Sequence, residues 1–301
     1  MSRCTFRFAV YLALGAILLL RSPVEAQMVP PLIVHLALDR PIAVAGEPLS
    51  LEISVTNAWY QPFPAPNLAH YRPNSDLFIH HGILVPQVWN SEGRYVPLWV
   101  HADGPGVPVD EEVIMLVPGQ TITVRVDVTC LWGFHIRPGD YAIAAPAITR
   151  SQSLKQLQPF VISNTAFVRI LPRGAAGGRP MGAVEKEKLE LAVRLSAGGR
   201  SARTAQAPVQ LGKETYLPAA AAAELAGATL TEEKERLVLE RDGKRLVFTP
   251  GEKAAVLPSG ERKSGVVVPY AAGRVPMLPA TLLAEVFGVP KEIQVRIEAR
   301  G

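Results

Sequence analysis

Two stretches of the chain are one small unit written twice, 61 residues apart. Gly212-Lys-Glu-Thr-Tyr-Leu-Pro-Ala-Ala-Ala-Ala-Ala-Glu-Leu-Ala-Gly227 aligns without a gap on Gly273-Arg-Val-Pro-Met-Leu-Pro-Ala-Thr-Leu-Leu-Ala-Glu-Val-Phe-Gly288. The pairs Leu217/Leu278, Pro218/Pro279, Ala219/Ala280, Ala223/Ala284 and Glu224/Glu285 match, as do the terminal glycines. Such a repeat means that the C-terminal region is built by duplicating one supersecondary unit. In each copy an extended segment leads into a proline suited to the first helical position. A short apolar helix follows, and Gly227 or Gly288 supplies the left-handed residue that stops it. Leu282, Leu283, Val286 and Phe287 make the buried face of the second helix emphatic. Arg236 to Thr249 reads as a β-hairpin around Asp242-Gly243, and Glu292 to Ile297 alternates as a strand. Residues 188–301 are thus expected to form a small duplicated α+β domain. Ahead of the repeats, within this domain, lie a strand or helix candidate at Lys188–Leu195 and a loose stretch, Ser196 to Pro208, read as an insertion. The glycine-dense segment after Pro172 makes 173–187 a flexible linker.

The N-terminal half has period two instead of a helical period. Leu49, Leu51, Ile53 and Val55 alternate with polar residues, as do Ile122, Val124, Val126 and Val128, the pattern of strands buried on one side. Leu32–Leu38, Tyr141–Ala145 and Ala166–Leu171 are further strands, separated by Pro/Gly turns at 45–48, 117–120 and 137–140. Short strands with such corners predict an antiparallel β-sandwich over residues 27–172.

Arg3 and Arg7 precede an apolar run from Phe8 to Leu20, and Ser22 to Ala26 ends in small residues; residues 1–26 therefore read as an export signal. The alternative is a short membrane anchor, but a helix of about 13 residues rises only roughly 20 Å, less than a bilayer core. With no transmembrane segment after cleavage, the mature protein is expected to be secreted or held at the cell envelope. Cys4 falls in the signal, which leaves Cys130 alone and without an internal disulfide. A half-buried apolar side chain is the preferred reading of Cys130 over a reactive thiol. Residues 27–172 carry eight Lys and Arg against eleven Asp and Glu, and residues 173–301 carry twenty against fifteen. All four Trp and all six His lie before residue 172. This asymmetry fits two separately folded units. The small, sign-mixed basic excess of the second leans at most toward anionic wall polymers and gives no case for a nucleic-acid partner.

Two long connections, Asn57–Asp76 and Val85–Glu112, interrupt the sandwich, and loops of that length are often functional. Their aromatics Trp59, Tyr60, Trp89, Tyr95 and Trp99 are the candidate ligand-binding residues, able to stack on sugar rings or dock a protein. The competing reading folds them back to cap the sandwich. His70, His80, His81, His101 and His135 do not make a metal site: adjacent His residues on a strand point to opposite faces, and no spacing fits zinc. Ser151, Ser153, His135 and Asp140 supply triad residue types without the strained turn that exposes a nucleophile. No catalytic residue, metal or cofactor is expected, and Glu224 and Glu285 read as surface acids.

Tyr216-Leu-Pro-x5-Glu-Leu-Ala-Gly-Ala228 and Met277-Leu-Pro-x5-Glu-Val-Phe-Gly-Val289 resemble the copper amine oxidase N-terminal-like domain, over roughly Leu189 to Ile297. In place of the Leu-Arg usual there stand Ala219-Ala220 and Ala280-Thr281. The resemblance implies a non-catalytic, stalk-like module whose copper belongs to a separate catalytic domain. The second half has no His or Cys, so copper lacks its preferred ligands. Gly46-Glu-Pro to Thr56-Asn57 and Arg137-Pro-Gly-Asp-Tyr141 resemble bacterial immunoglobulin-like domains, an outline shared with intracellular proteinase inhibitors of bacilli. The resemblances imply a secreted, non-catalytic envelope protein that binds or scaffolds, with a cell-wall polymer or surface protein as partner. The alternative is a secreted protease inhibitor acting through a sandwich loop; an enzyme with a site at the domain junction is the third reading.

Overall fold

The computed structural model describes residues 32–68, 84, 86–96, 113–128, 137–147, 161–174, 189–211, 214–234, 236–249, 254–264 and 268–300. Outside them lie the expected export signal, Trp99, Cys130, His70, His80, His81, His101, His135, Ser151, Ser153 and residues 175–187 of the expected linker.

The N-terminal half contributes β1 (Leu32–Leu38), β2 (Ile42–Val44), β3 (Ser50–Asn57), β4 (Phe63–Pro66), β5 (Gln87–Asn90) and β6 (Tyr95–Val96). It continues with β7 (Val113–Leu116), β8 (Thr121–Asp127), β9 (Gly139–Ala144), β10 (Pro146–Ala147), β11 (Val161–Ile162) and β12 (Ala166–Leu171). β3 buries Leu51, Ile53 and Val55 while Glu52, Ser54 and Thr56 face outward, and it pairs with β1 on one side and β8 on the other. The chain then changes sheets. Pro41 has no N–H to continue the ladder, its carbonyl accepts from Arg169 N at 2.9 Å, and β2 joins a second sheet in the order β2-β12-β9-β5-β6. The β2–β12 pair is parallel, a departure from the antiparallel pairing expected throughout. Leucines and valines of both sheets face each other across one core. The expected long connections also carry strands: β4 pairs with β7, and β5 and β6 form a hairpin.

The C-terminal half holds β13 (Leu191–Ala197), β14 (Arg200–Thr204), β15 (Val209–Leu211), β16 (Glu214–Pro218) and helix α1 (Ala219–Ala226). Then come β17 (Thr229–Glu233), β18 (Arg236–Arg241), β19 (Lys244–Phe248), β20 (Ala254–Val256) and β21 (Arg262–Ser264). β22 (Tyr270–Ala271), β23 (Val275–Pro279), helix α2 (Ala280–Phe287) and β24 (Gln294–Ala299) complete it. The two matching stretches fold alike and pair with each other. β16 runs antiparallel to β23 with Leu217 opposite Leu278, Tyr216 opposite Pro279 and Pro218 opposite Met277. Matching positions therefore pair about a pseudo-twofold axis at the two leucines, both fully buried, and each helix packs on the other unit's strand.

The symmetry reaches further than the sequence match. The stretch read as an insertion supplies the turn and second strand of the β13–β14 hairpin, which turns at Gly198-Gly199, both with positive φ, and the strand or helix candidate before it is β13. The β18–β19 hairpin turns the same way at Asp242-Gly243; positive φ at both central residues is the turn that matches strand twist. β17 adds to the second hairpin and β24 returns to the first, so each hairpin is completed by the strand that follows the other unit's helix. Gly227 and Gly288 end the helices at φ 60° and 69° as expected. Pro218 and Pro279 differ from expectation: they stay extended as N-caps, at ψ 132° and 129°, because both still belong to the ladder.

Side chains stitch the two units where backbone symmetry leaves helix ends open. Arg241 donates to Ala226 O at 2.6 Å and to Phe287 O at 2.8 Å, one guanidinium at the C-termini of both helices, where the dipole favours a cation. It also lies 5.6 Å from the centre of the Phe287 ring. At the start of α2, Thr281 N–H donates to Glu214 Oε1 at 3.1 Å, and its hydroxyl donates to Oε2. Arg241→Met is expected to lower unfolding free energy by about 1.5–3 kcal/mol, whereas exposed Arg236→Met changes it by less than about 0.5 kcal/mol; urea titration of both variants checks this.

Burial, and behind it the Glu214 carboxylate, pushes the Tyr216 hydroxyl up to about 12. Above pH 10 the unfolded chain releases this proton first, so stability is intact below that value and falls as pH rises toward about 12. Tyr216→Phe is expected to flatten that alkaline loss in denaturation curves taken across the interval.

Candidate functional site

Asn57, at the end of β3, is fully buried and organises one end of the N-terminal half. Its Nδ2 donates to Gln61 O at 2.9 Å and Leu116 O at 2.8 Å, and its Oδ1 accepts the Trp59 N–H at 2.8 Å. Its backbone receives Gly119 N–H at 2.8 Å and donates to Gln120 O at 2.9 Å. The side chain thus ties the 57–61 loop to β7, and the backbone of the same residue ties both to the turn before β8. On this support Trp59 and Tyr60 stand as a tilted pair, ring centroids 4.7 Å apart at 35°. Trp59 is half-buried and Tyr60 is 70% exposed. Met115 and Val117, 59% and 55% exposed, lie on the strand and turn that Asn57 holds. Large apolar side chains gathered at one end of a fixed frame form a ledge that can take a sugar face or an apolar anchor from a partner.

Trp89 does not belong to this ledge, which corrects its expected role. It is 8% exposed, and its indole N–H donates to Pro208 O at 3.1 Å in the other half. Two residues earlier on the same face of β5, the Gln87 amide accepts the Gln210 N–H at 2.7 Å and donates to the Gln210 carbonyl, standing in for a strand. β9 alternates too: Tyr141, Ile143 and Ala145 enter the first core, while Ala142 and Ala144 join the core of the C-terminal half. This sheet is buried on both faces, and the small alanines let the second half approach closely. β11 pairs in parallel with β22, extending the sheet β10-β11-β22-β23-β16-β15 across both halves. Ala207 N–H donates to Thr165 Oγ1 at 2.7 Å. The unbroken apolar run Tyr141-Ala-Ile-Ala-Ala145 is the signal that could have revealed a doubly buried strand.

The remaining candidates are dispersed. Tyr95 lies in β6, opposite Trp89 in register, and Trp99 is outside the described residues. Asp140 is held by Arg169 in a two-pronged pair at 2.7 and 3.0 Å across β9 and β12. Glu224 is exposed on α1, and Glu285 accepts from Lys263. His35 is exposed on β1. Among the described residues no helix is long and apolar enough to cross a membrane.

Residues 196–295 match the family model of the copper amine oxidase N-terminal domain. The match starts in β13 and ends in β24, so it takes in both strand–helix units and leaves the aromatic ledge outside. That domain is a non-catalytic accessory one, and the match shows no enzymatic activity for the chain. No curated protein matches the chain.

The tightest test of the junction is Gly93, in the β5–β6 turn. A Cβ there would stand 1.6 Å from Val295 O on β24, at φ +73°. Gly119 has a similar φ of +77° and nothing within 4 Å. Gly119→Ala is expected to cost about 1–2 kcal/mol of backbone strain. Gly93→Ala adds the clash, costs more than about 3 kcal/mol in all, and shifts Trp89 emission to the red; calorimetry and fluorescence of both variants decide it.

Proposed function

We propose that this is an exported, non-catalytic protein of the cell envelope that binds a wall polymer or a surface protein through the Trp59–Tyr60 ledge, with the two halves as a single scaffold behind it. The observation that carries this reading is the ledge itself: exposed Tyr60 packed on half-buried Trp59, fixed from beneath by buried Asn57. Aromatic anchors on rigid supports lose little entropy on binding and dominate contact energies.

Within this reading the N-terminal half is an immunoglobulin-like sandwich. Support comes from the Tyr141 hydroxyl, which donates to Arg137 O at 2.6 Å; a tyrosine bonding back to the backbone a few residues upstream is a mark of such sandwiches. The C-terminal half is one duplicated hairpin–strand–helix–strand unit, supported by the pairing about Leu217 and Leu278.

Retention on purified cell-wall sacculi tests the proposal. Full-length mature protein is expected to co-sediment, and Trp59→Ala/Tyr60→Ala to lose at least about tenfold in affinity, as hot-spot aromatics do. Equal retention of the variant, or none of the parent protein, would contradict it for the polymer; a surface-protein partner would appear instead as retention on intact cells that protease treatment abolishes.

A further inference from the structure

The outer face of the β14-β13-β24 sheet carries three arginines in one register row: Arg203 opposite Arg194, and Arg194 opposite Arg296. Neighbouring strands lie about 4.8 Å apart, so the three side chains leave the sheet within roughly 10 Å of one another. Like charges set directly opposite on adjacent strands are destabilising. Glu298 offsets two of them: its carboxylate accepts from Arg194 Nε and from Arg203 Nε, each at 2.7 Å. These bonds, that to Arg194 foremost, hold the Glu298 carboxyl below the usual carboxylate range. Arg296 is exposed and takes no part in that network.

The next row is Ser201, Ser196 and Gln294. Together with Arg194, Arg200 and Glu292 these residues line an open groove of about 410 Å³, closed at one end by the Gly198-Gly199 turn. Its floor is hydroxyl and amide, and guanidinium groups flank it.

The fold does not require this row. The other hairpin, completed by β17, repeats the geometry. Counted from the two-residue turns, Arg194 and Arg203 correspond to Val238 and Val247, and Arg296 corresponds by register to Thr231. One scaffold position is arginine, arginine, arginine in one unit and valine, valine, threonine in the other. Val238, at the centre of that row, is buried, whereas Arg203 and Arg296 stand exposed beside half-buried Arg194, so of the two sheets this one turns three cations toward solvent.

We infer that this face is a second binding site, which takes oxyanion groups spaced along an extended polyol or sugar polyanion. Arginine forks match phosphate and carboxylate oxygens, the serine hydroxyls and Gln294 amide add hydrogen bonds, and the groove is open enough to admit a chain. Single-stranded nucleic acid fits less well, because its sites pair basic grooves with aromatic stacking platforms and no aromatic ring lines this groove. The inference stands apart from the Trp59–Tyr60 reading, since the ledge lies in the other half.

Titration calorimetry of the full mature protein at low salt, with poly(glycerol phosphate) and with polygalacturonate, tests it and tells the phosphate source from the carboxylate one. Binding of at least one polymer is expected, weakened by added salt. Arg296→Glu is expected to weaken it at least about tenfold. Arg236→Glu, the same charge change on the other hairpin, is expected to alter it less than about twofold. No binding of either polymer, equal weakening by both variants, or tighter binding of a single-stranded oligonucleotide than of either polymer would overturn the site.

Discussion

At the middle of the molecule Leu217 meets Leu278 across two antiparallel strands, and the rest of the C-terminal half follows from that pair. Because matching residues pair about one point, each helix is delivered onto the opposite unit's strand. Each strand leaving a helix is likewise delivered to the opposite hairpin. Each strand–helix stretch buries its apolar face against the other, the same physical arrangement as neighbours stacked in repeat proteins. Arg241 then acts where symmetry runs out, placing a single cation at two helix C-termini. The pairing also sets the order of the six-stranded sheet, whose β22 edge receives β11 from the other half.

That shared sheet changes what the N-terminal half can be. Among the described residues the middle of its second sheet is covered on both faces: Ala142, Ala144 and Trp89 are turned into the C-terminal core, and Val88, Tyr141 and Ile143 into its own. Two carboxamides finish edges that no strand covers, Gln87 on Gln210 and Asn164 on the Leu36 backbone, at 2.7 and 2.9 Å in the latter case. Backbone groups left open at a sheet edge invite foreign strands, and these amides occupy them from within. The Trp59–Tyr60 ledge and the arginine row therefore ride on a common frame.

Much of this was legible in the residues, for reasons that can be named. The alternation in β3 and β8, the Asp242-Gly243 turn and the glycine helix stops are local signals, and each appears where the pattern put it. The residues at Lys188–Leu195 leave strand and helix open, and β13 falls there; β14 was not legible, because serine, alanine and glycine carry neither periodicity nor bulk, and only its pairing with β13 makes it a strand. Trp89 misled for a related reason. A tryptophan in a proline-rich connection looks like a surface platform, and its burial depends on a partner surface supplied by residues beyond 190. Trp59 and Tyr60 lie in the connection where the pattern put them, yet the residue that fixes them, Asn57, gave no hint beyond ending a strand. The arginine row was invisible for the plainest reason: Arg194, Arg203 and Arg296 are strangers in sequence and neighbours only in register.

Hydrogen exchange on the full-length protein tests the claim that one sheet unites the chain. Amides of β11, β16, β22 and β23 are predicted to exchange through a common slow opening, since a shared cooperative unit opens together. Exchange in β11 and Trp89-containing peptides much faster than in β16 and β23 would mean that the halves open separately, and the account of a single scaffold would be wrong.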